Sequence, residues 1–121
     1  MELTPLVQPG RQVIERYGAS GFRVSGTLYR GPVLVFPDRT VAWEEAAATV
    51  AALAPVVEHG GIELLLLGLG RRMAPVAAAL RAALKAHGIA IEAMDTGAAC
   101  RTYNVLLAED RRVAAALLPA V

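Results

Sequence analysis

The sequence predicts an α/β fold of three layers, in which a mixed β-sheet is flanked by helices and an N-terminal β-meander forms a sublayer. Three observations lead to this prediction. Ile62–Leu67 contains the short, unbroken apolar run Leu64–Leu67 and is followed by glycines, which is typical of a strand buried on both faces. A helix-length segment and a second strand, Ile89–Met94, follow it and complete a strand–helix–strand unit. Before it, short apolar runs separated by Gly and Pro favour antiparallel strands.

Length and composition favour a single domain spanning residues 1–121. Hydrophobic residues make up 55% of the chain, which favours a packed core over disorder. Residues 1–10 contain two prolines and no periodicity, so we expect a loosely ordered lead-in there.

Charge and cysteine content exclude several classes of protein. The 12 Lys and Arg residues nearly balance the 11 Asp and Glu residues, so no nucleic-acid partner is expected. The single Cys100 excludes an intrachain disulfide. The N-terminus resembles neither a signal peptide nor a transit peptide. No apolar run is close to the length of about 20 residues that a helix needs to span a bilayer. A soluble, cytoplasmic protein without a transmembrane segment is therefore predicted.

The N-terminal part of the sequence has short apolar runs separated by turn residues, and this pattern predicts the β-meander. Its strands are expected at Gln12–Tyr17, Phe22–Val24, Val33–Phe36 and Thr40–Trp43, with a longer turn over Gly26–Gly31.

Three helices and a last strand complete the prediction. Apolar spacing predicts helices over Glu44–Val57, Pro75–His87 and Ala98–Glu109, and a strand over Val113–Leu118. Pro55 should end or kink the first helix near Leu53, and Asp95 or Thr96 should cap the third. In the central strand, Leu65 and Leu66 should point to opposite faces and both be buried.

Polar residues follow the two central strands and form a candidate anion-binding site. Open α/β sheets bind ligands beyond the carboxyl ends of their strands, and arginines with helix-terminal amides suit an anion. The candidate residues are Gly68, Gly70, Arg71, Arg72, Asp95, Thr96, Arg101 and Asn104. The alternative is structural: tight turns at the glycines, a helix cap and internal hydrogen bonds.

The glycines only partly match a dinucleotide-binding loop, because the third glycine of that fingerprint falls at Met73. Two arginines before a helix are unfavourable unless an anion compensates them. That anion is either a bound ligand or a carboxylate such as Asp95 or Glu109.

No catalytic residue, metal site or cofactor is predicted. Cys100 has no His nearby in sequence, so a buried small hydrophobic side chain is favoured over a nucleophile. His59 and His87 lack ligand partners at metal spacing. Tyr29, Phe36 and Trp43 are expected in the core, or in a protein interface if they are exposed.

Several stretches resemble a family of domains of unknown function that includes the mitochondrial complex I (NADH:ubiquinone oxidoreductase) assembly factor 3 and the adipogenesis-associated domain protein. The resemblance lies in Tyr17–Gly26, Gly31–Pro37 with Trp43, Leu67–Gly70, Met94–Thr96, Arg101–Leu106 and Arg112–Leu117. It implies a three-layer α/β fold and, for the mitochondrial member, a protein-binding role in respiratory-complex assembly. The lack of a visible targeting segment suits a bacterial member.

Two hypotheses of function follow. The first, which we favour, is a non-catalytic interaction or assembly module with a protein partner. The second is a domain or enzyme that takes a small anion in the crevice at the strand ends. A weak homodimer through an edge strand or aromatic patch is a further possibility.

Overall fold

A computed structural model describes residues 10–71 and 74–120 of the chain, which form two β-sheets and three helices. The strands are Ile14–Gly18 (β1), Gly21–Val24 (β2), Thr27–Arg30 (β3), Val33–Val35 (β4), Thr40–Ala42 (β5), Leu64–Leu69 (β6), Ala90–Met94 (β7) and Val113–Leu118 (β8). The helices are Ala54–His59 (α1), Ala78–Lys85 (α2) and Thr96–Ala108 (α3). None of the helices in this part of the chain has both the length and the apolar character that a membrane span requires.

The main sheet is mixed, as predicted, with the strand order β5-β4-β8-β6-β7. Strand β6 runs parallel to β7 and β8, whereas β4 runs antiparallel to β5 and β8. Leu65 and Leu66 of β6 are fully buried in two different core clusters. Their predicted burial on opposite faces of a central strand is therefore confirmed.

Helices α1 and α2 cover one face of the main sheet, where Leu53, Val56, Leu80 and Leu84 pack in the same cluster as Leu65. The other face is covered by α3 together with a separate antiparallel sheet of order β1-β2-β3. The predicted three layers and the N-terminal sublayer are confirmed, but the sublayer contains only β1–β3. Strands β4 and β5 belong to the main sheet.

The turn predicted over Gly26–Gly31 is wrong, because most of that stretch is strand β3. Val24 pairs with Thr27, so the hairpin loop has two residues, Ser25 with φ 43° and Gly26 with φ 86°. Positive φ at both loop residues is typical of a type I′ turn, which commonly joins the two strands of a tight β-hairpin. Leu28 and Arg30 are exposed, which hid the strand pattern.

The helix predicted over Glu44–Val57 is also wrong, since only its end is helical. Residues 44–53 form turns and bends, held in part by Trp43, whose Nε1 donates to the Ala52 carbonyl at 2.9 Å. Pro55 lies in the first turn of α1 rather than at a helix end. Proline is tolerated at this position because the backbone amides of the first helical turn have no intrahelical acceptor, so the N–H that proline lacks would not have formed a helical hydrogen bond.

The other elements differ from the predictions mainly at their ends. Helix α2 is shorter than predicted, and α3 begins at Thr96 rather than Ala98. Strand β8 has the predicted bounds. Phe36 and Trp43 are buried and Tyr29 is half-buried, which confirms their expected place in or beside the core.

Candidate functional site

The loops after β6 and β7 meet at one edge of the main sheet, as predicted from the strands being neighbours. The turn after β6 contains Gly70 and Arg71, and Asp95 follows β7 and precedes α3. The Thr96 backbone amide donates to the Gly70 carbonyl at 2.8 Å, which joins the two loops directly. Four of the candidate residues are therefore close together at this junction.

Thr96 is fully buried, and its hydroxyl bonds to the turn after β6 and to strand β8. Oγ1 accepts a hydrogen bond from the Gly70 amide at 2.9 Å and donates one to the Leu118 carbonyl at 2.6 Å. A buried hydroxyl needs such partners to offset its lost hydration. The side chain thus ties the ends of β6 and β8 to the start of α3.

Asp95 is the N-cap of α3. Its Oδ1 accepts a hydrogen bond from the Ala98 amide at 2.9 Å. Caps of this kind stabilise a helix by about 1 kcal/mol because they satisfy an amide that has no intrahelical partner. The sequence offered Asp95 or Thr96 for this role, and the structure assigns it to Asp95.

Gly68 in strand β6 and Gly70 in the turn after it have different structural roles. A Cβ added at Gly68 would lie 2.7 Å from Leu117 Cδ2 and 3.1 Å from both Ala99 Cβ and Thr96 Cα. Gly68 therefore allows α3 to pack closely on β6. Gly70 has φ 89° in the turn and an open space beside it.

Asn104 lies away from this junction. It is eight residues beyond Thr96 in α3, about 12 Å along a helix with a 1.5 Å rise per residue. Its Nδ2 donates to the Ile14 carbonyl at 2.8 Å, and its Oδ1 accepts from the Ile14 amide at 3.0 Å. The side chain thus occupies the edge of β1 as a neighbouring strand would.

Arg71 and Arg101 are the exposed cations of the candidate site. Arg101 Nη1 donates to the Tyr17 hydroxyl at 3.2 Å and lies 3.2 Å from the position of a Cβ at Gly97, near the start of α3. Within residues 10–71 and 74–120, no ion pair involves Arg71. Arg72 and Met73 lie outside the described residues.

Cys100 is buried, and burial raises the pKa of its thiol to about 12. The thiol is therefore protonated and shielded at neutral pH, as expected of the buried hydrophobic side chain that the sequence favoured. Among the described residues, no group of three or more His, Cys, Asp or Glu side chains is placed to hold a metal ion.

His59, the last residue of α1, makes a polar contact that is far from Cys100 in the sequence. The His59 ring stacks on Phe36 with centroids 4.3 Å apart, and its Nε2 lies 2.6 Å from Asp38 Oδ1. Its Nδ1 lies 2.8 Å from the Gly60 carbonyl. This contact joins the end of α1 to the loop between β4 and β5.

A charged surface that the sequence did not reveal lies on the outer face of the β1-β2-β3 sheet. Phe22 and Val24 are buried, so their strand neighbours point outward. The outward residues line a groove of about 320 Å³. We call this surface the basic face and define it by Arg16, Gly18, Gly21, Arg23, Leu28 and Arg30.

The even spacing of Arg16, Arg23 and Arg30 along the sequence was the available signal. This spacing shows that the three arginines share a face only if the positions of both hairpin turns are known. An error of one residue in the register of a strand would move its side chains to the other face of the sheet. The turn assigned to Gly26–Gly31 concealed the third arginine.

A family model described as "Protein of unknown function (DUF498/DUF598)" matches residues 14–118. The chain belongs to this family. An uncharacterized protein of Rhodobacter capsulatus is 40% identical over 112 residues, which cover 91% of this chain and 86% of that protein.

Assembly factors are also among the relatives. The NADH dehydrogenase [ubiquinone] 1 alpha subcomplex assembly factor 3 of Danio rerio is 35% identical over 88% of this chain. The chain spans 64% of the length of that protein. The resemblance to the family that contains assembly factor 3 is thus confirmed.

Solved structures of similar proteins have the same fold. A crystal structure described as an outer membrane protein from Bartonella henselae has a TM-score of 0.84 and 38% identity, and covers 93% of this chain and 98% of that one. A Bordetella pertussis protein described as a Mth938-like domain has a TM-score of 0.78 and 27% identity, with 98% and 92% covered. The α/β fold is therefore that of Mth938-like domains.

Proposed function

We propose that this chain is a non-catalytic protein-interaction module that assists the assembly of a respiratory NADH dehydrogenase in the cytoplasm. The observation that carries the proposal is the similarity to assembly factor 3 over 88% of the chain. Because the chain spans less than two thirds of that relative, the shared domain is the part to which an assembly role is transferred.

The bonding of the polar residues in α3 supports a scaffold role for them. Asp95 caps the helix, Thr96 bridges two strand ends, and Asn104 holds the edge of β1. A general acid or base has to reach a substrate proton, whereas these groups bond to backbone within the fold. Cys100, the side chain best suited to attack a substrate, is buried.

Deletion of the gene in the organism that encodes the chain tests the proposal. We expect less assembled NADH dehydrogenase on native gels and less NADH oxidation by membranes, both restored by the wild-type gene. Succinate dehydrogenase serves as the control and should be unchanged. A normal amount of assembled NADH dehydrogenase in the deletion strain would contradict the proposed function.

The exposure of Arg71 and Arg101 favours a second candidate, the binding of a small anion at the strand ends. Both cations lie beside the junction where Gly70 and Thr96 bond to each other. The two arginines are suitable donors to an anion, whereas the Gly70, Thr96 and Ala98 amides already donate within the fold. In this proposal Asp95 orients an arginine or a hydroxyl, since a carboxylate repels an anion.

A thermal-shift screen of phosphates, nucleotides and dicarboxylates tests this second candidate. A ligand at a hundredfold excess over its Kd stabilises the folded state by about 2.7 kcal/mol. The shift should be salt-sensitive and absent in Arg71→Ala, but kept in the control Lys85→Ala on α2. An unchanged melting temperature with every anion would exclude the candidate.

A further inference from the structure

Strand β5 is one edge of the main sheet, because in the described part of the chain it pairs with β4 alone. The Trp43 amide, just after β5, donates to the Pro32 carbonyl just before β4 at 3.0 Å. Residues of an antiparallel strand alternate between those that bond to the partner strand and those that do not. Thr40 and Ala42 therefore direct their amides and carbonyls away from β4, along an edge that can accept another strand.

A pocket of about 230 Å³ lies beside this edge. It is lined by apolar side chains of the sheet, among them Val41 and Trp43, and by Pro55 in the first turn of α1. Val41 is 38% exposed, whereas Leu34, its partner in the register, is buried. The pocket thus borders the edge of β5. A strand added to β5 would direct every second side chain to the face on which Val41 lies.

Two carboxylates, those of Glu44 and Glu45, also line the pocket. Both residues are exposed, and within residues 10–71 and 74–120 neither of them forms an ion pair. Like charges on adjacent residues repel each other, and a cation that lies against them relieves the repulsion. The pocket therefore has an apolar interior and a negatively charged rim.

The backbone edge, the apolar pocket and the carboxylates together select the occupant. An extended peptide can add a strand to a sheet edge, where main-chain hydrogen bonds provide affinity and pockets for alternate side chains provide specificity. A nucleic acid has no amide backbone to pair with the edge, and the two carboxylates repel its phosphates. A protein segment with an apolar side chain and a cation matches all three features.

We infer that the edge of β5 docks an extended segment of a protein partner, with an apolar side chain in the pocket and a lysine or arginine against Glu44 and Glu45. The inference rests on the proposed function and names the surface through which the interaction module binds its partner. The backbone groups of Thr40 and Ala42 bond to the added strand. The pocket selects an apolar side chain, and the carboxylates select a cation beside it.

Fluorescence anisotropy with a labelled peptide of lysine and leucine tests the docking site. The full chain should bind the peptide, and added salt should weaken binding because the charges are exposed. A peptide with every lysine replaced by glutamate should not bind. A peptide methylated at its backbone amides should bind more weakly, since it cannot donate to the edge of β5. Absence of binding to the lysine peptide, or equal binding of the methylated one, would overturn the inference.

Matched charge reversals locate the site. Glu44→Lys/Glu45→Lys should weaken binding by about tenfold, because like charges then face the lysines of the peptide. The control is Glu58→Lys/Glu92→Lys, which changes the net charge equally at exposed positions of α1 and of β7, the opposite edge of the sheet. It should leave binding unchanged. Equal losses in the two double variants would overturn the assignment of the surface.

Ala42→Pro tests the backbone edge itself. Proline is tolerated on an edge strand where its missing N–H would face solvent, so this substitution removes one outward donor and keeps the pairing of β5 with β4. Binding should weaken while the far-UV circular dichroism spectrum stays that of the folded protein. Wild-type binding by the folded variant would overturn the role of the edge, and if the variant unfolds, the methylated peptide decides the same point.

A second copy of the chain is the competing occupant of this edge, and light scattering tests it. A monomer, or a dimer that Ala42→Pro leaves intact, is the expected result. A dimer that Ala42→Pro dissociates would overturn the choice of a different protein as partner. These binding measurements are independent of the deletion strain, so they decide the docking site, whereas the amount of NADH dehydrogenase in that strain decides the proposed function.

Discussion

Thr96 and Asn104 show how single polar side chains of α3 join elements that are distant in the sequence. Thr96 bonds to Gly70 and Leu118, and Asn104 bonds to both backbone groups of Ile14. Each bond satisfies a backbone group at a strand end or sheet edge. The main role of these two residues is therefore to stabilise the fold.

Thr96→Val tests this role with little change in shape. The substitution leaves the Gly70 amide and the Leu118 carbonyl without their partner, and each buried unsatisfied group costs about 1–3 kcal/mol. We expect the free energy of unfolding to fall by at least that amount in urea denaturation. Thr102→Val in the same helix is the control and should change it little, because within the described residues the Thr102 side chain has no hydrogen bond. Similar midpoints for the two variants would contradict the role of Thr96.

Cys100 provides a second prediction at this scale. Its raised pKa, about 12, and its burial both suppress the thiolate that reacts with disulfide reagents. The native protein should react slowly with an aromatic disulfide reagent near neutral pH, and the denatured protein should react at once. Rapid reaction of the folded protein would show that the thiol is accessible.

At the scale of elements, the buried strands were predictable, whereas strand β3 and the irregular segment before α1 were not. Strand β8 has its predicted bounds because its side chains are almost all buried and Pro119 ends the run. Strand β3 was missed because it lies at an edge with Leu28 and Arg30 exposed. The segment before α1 has helical spacing but is held by the Trp43 contact with Ala52, a tertiary effect that periodicity does not contain.

The close packing of α3 on β6 predicts that Gly68→Ala is destabilising. The added Cβ meets Leu117 at 2.7 Å and the Thr96 backbone at 3.1 Å. Overpacking of this kind costs about 1–3 kcal/mol, which should appear as a lower denaturation midpoint. Gly18→Ala is the matched control, since nothing lies within 4 Å of its Cβ position and its φ is not positive. Equal stability of the two variants would show that α3 moves away from β6 at little cost.

The contact between α1 and the loop after β4 predicts a dependence on pH. The hydrogen bond to His59 holds the pKa of Asp38 below its usual value of 3.8. A carboxyl group with a lowered folded-state pKa stabilises the protein above its unfolded-state pKa, and this contribution is lost as pH falls through the folded-state value.

Comparison with Asp38→Asn isolates this contribution. The wild type should be the more stable protein at neutral pH, and its advantage should shrink as pH falls below about 4. The effect should be small because the Asp38 side chain is 59% exposed. Thermal melts across this pH range provide the measurement. A difference that grows on acidification would reverse the assigned sign.

At the scale of the whole molecule, charge balance conceals an uneven distribution. The net charge is +1, yet Arg16, Arg23 and Arg30 lie on one outer face. The sequence alone located the two loops at the strand ends because parallel strands place their carboxyl ends together. It could not show that Asn104 bonds to Ile14, or that the three arginines are neighbours, because both facts depend on pairings between distant residues.

The central claim is the proposed one, that the chain assists the assembly of a respiratory NADH dehydrogenase without binding a small anion at the strand ends. The amount of assembled NADH dehydrogenase in the deletion strain tests this claim most directly. The strain should contain less of the complex, and the wild type, Lys85→Ala and Arg71→Ala, each at equal expression, should restore it. A normal amount of the complex in the deletion strain would contradict the claim. Failure of Arg71→Ala alone to restore the complex would contradict it as well and favour the crevice at the strand ends.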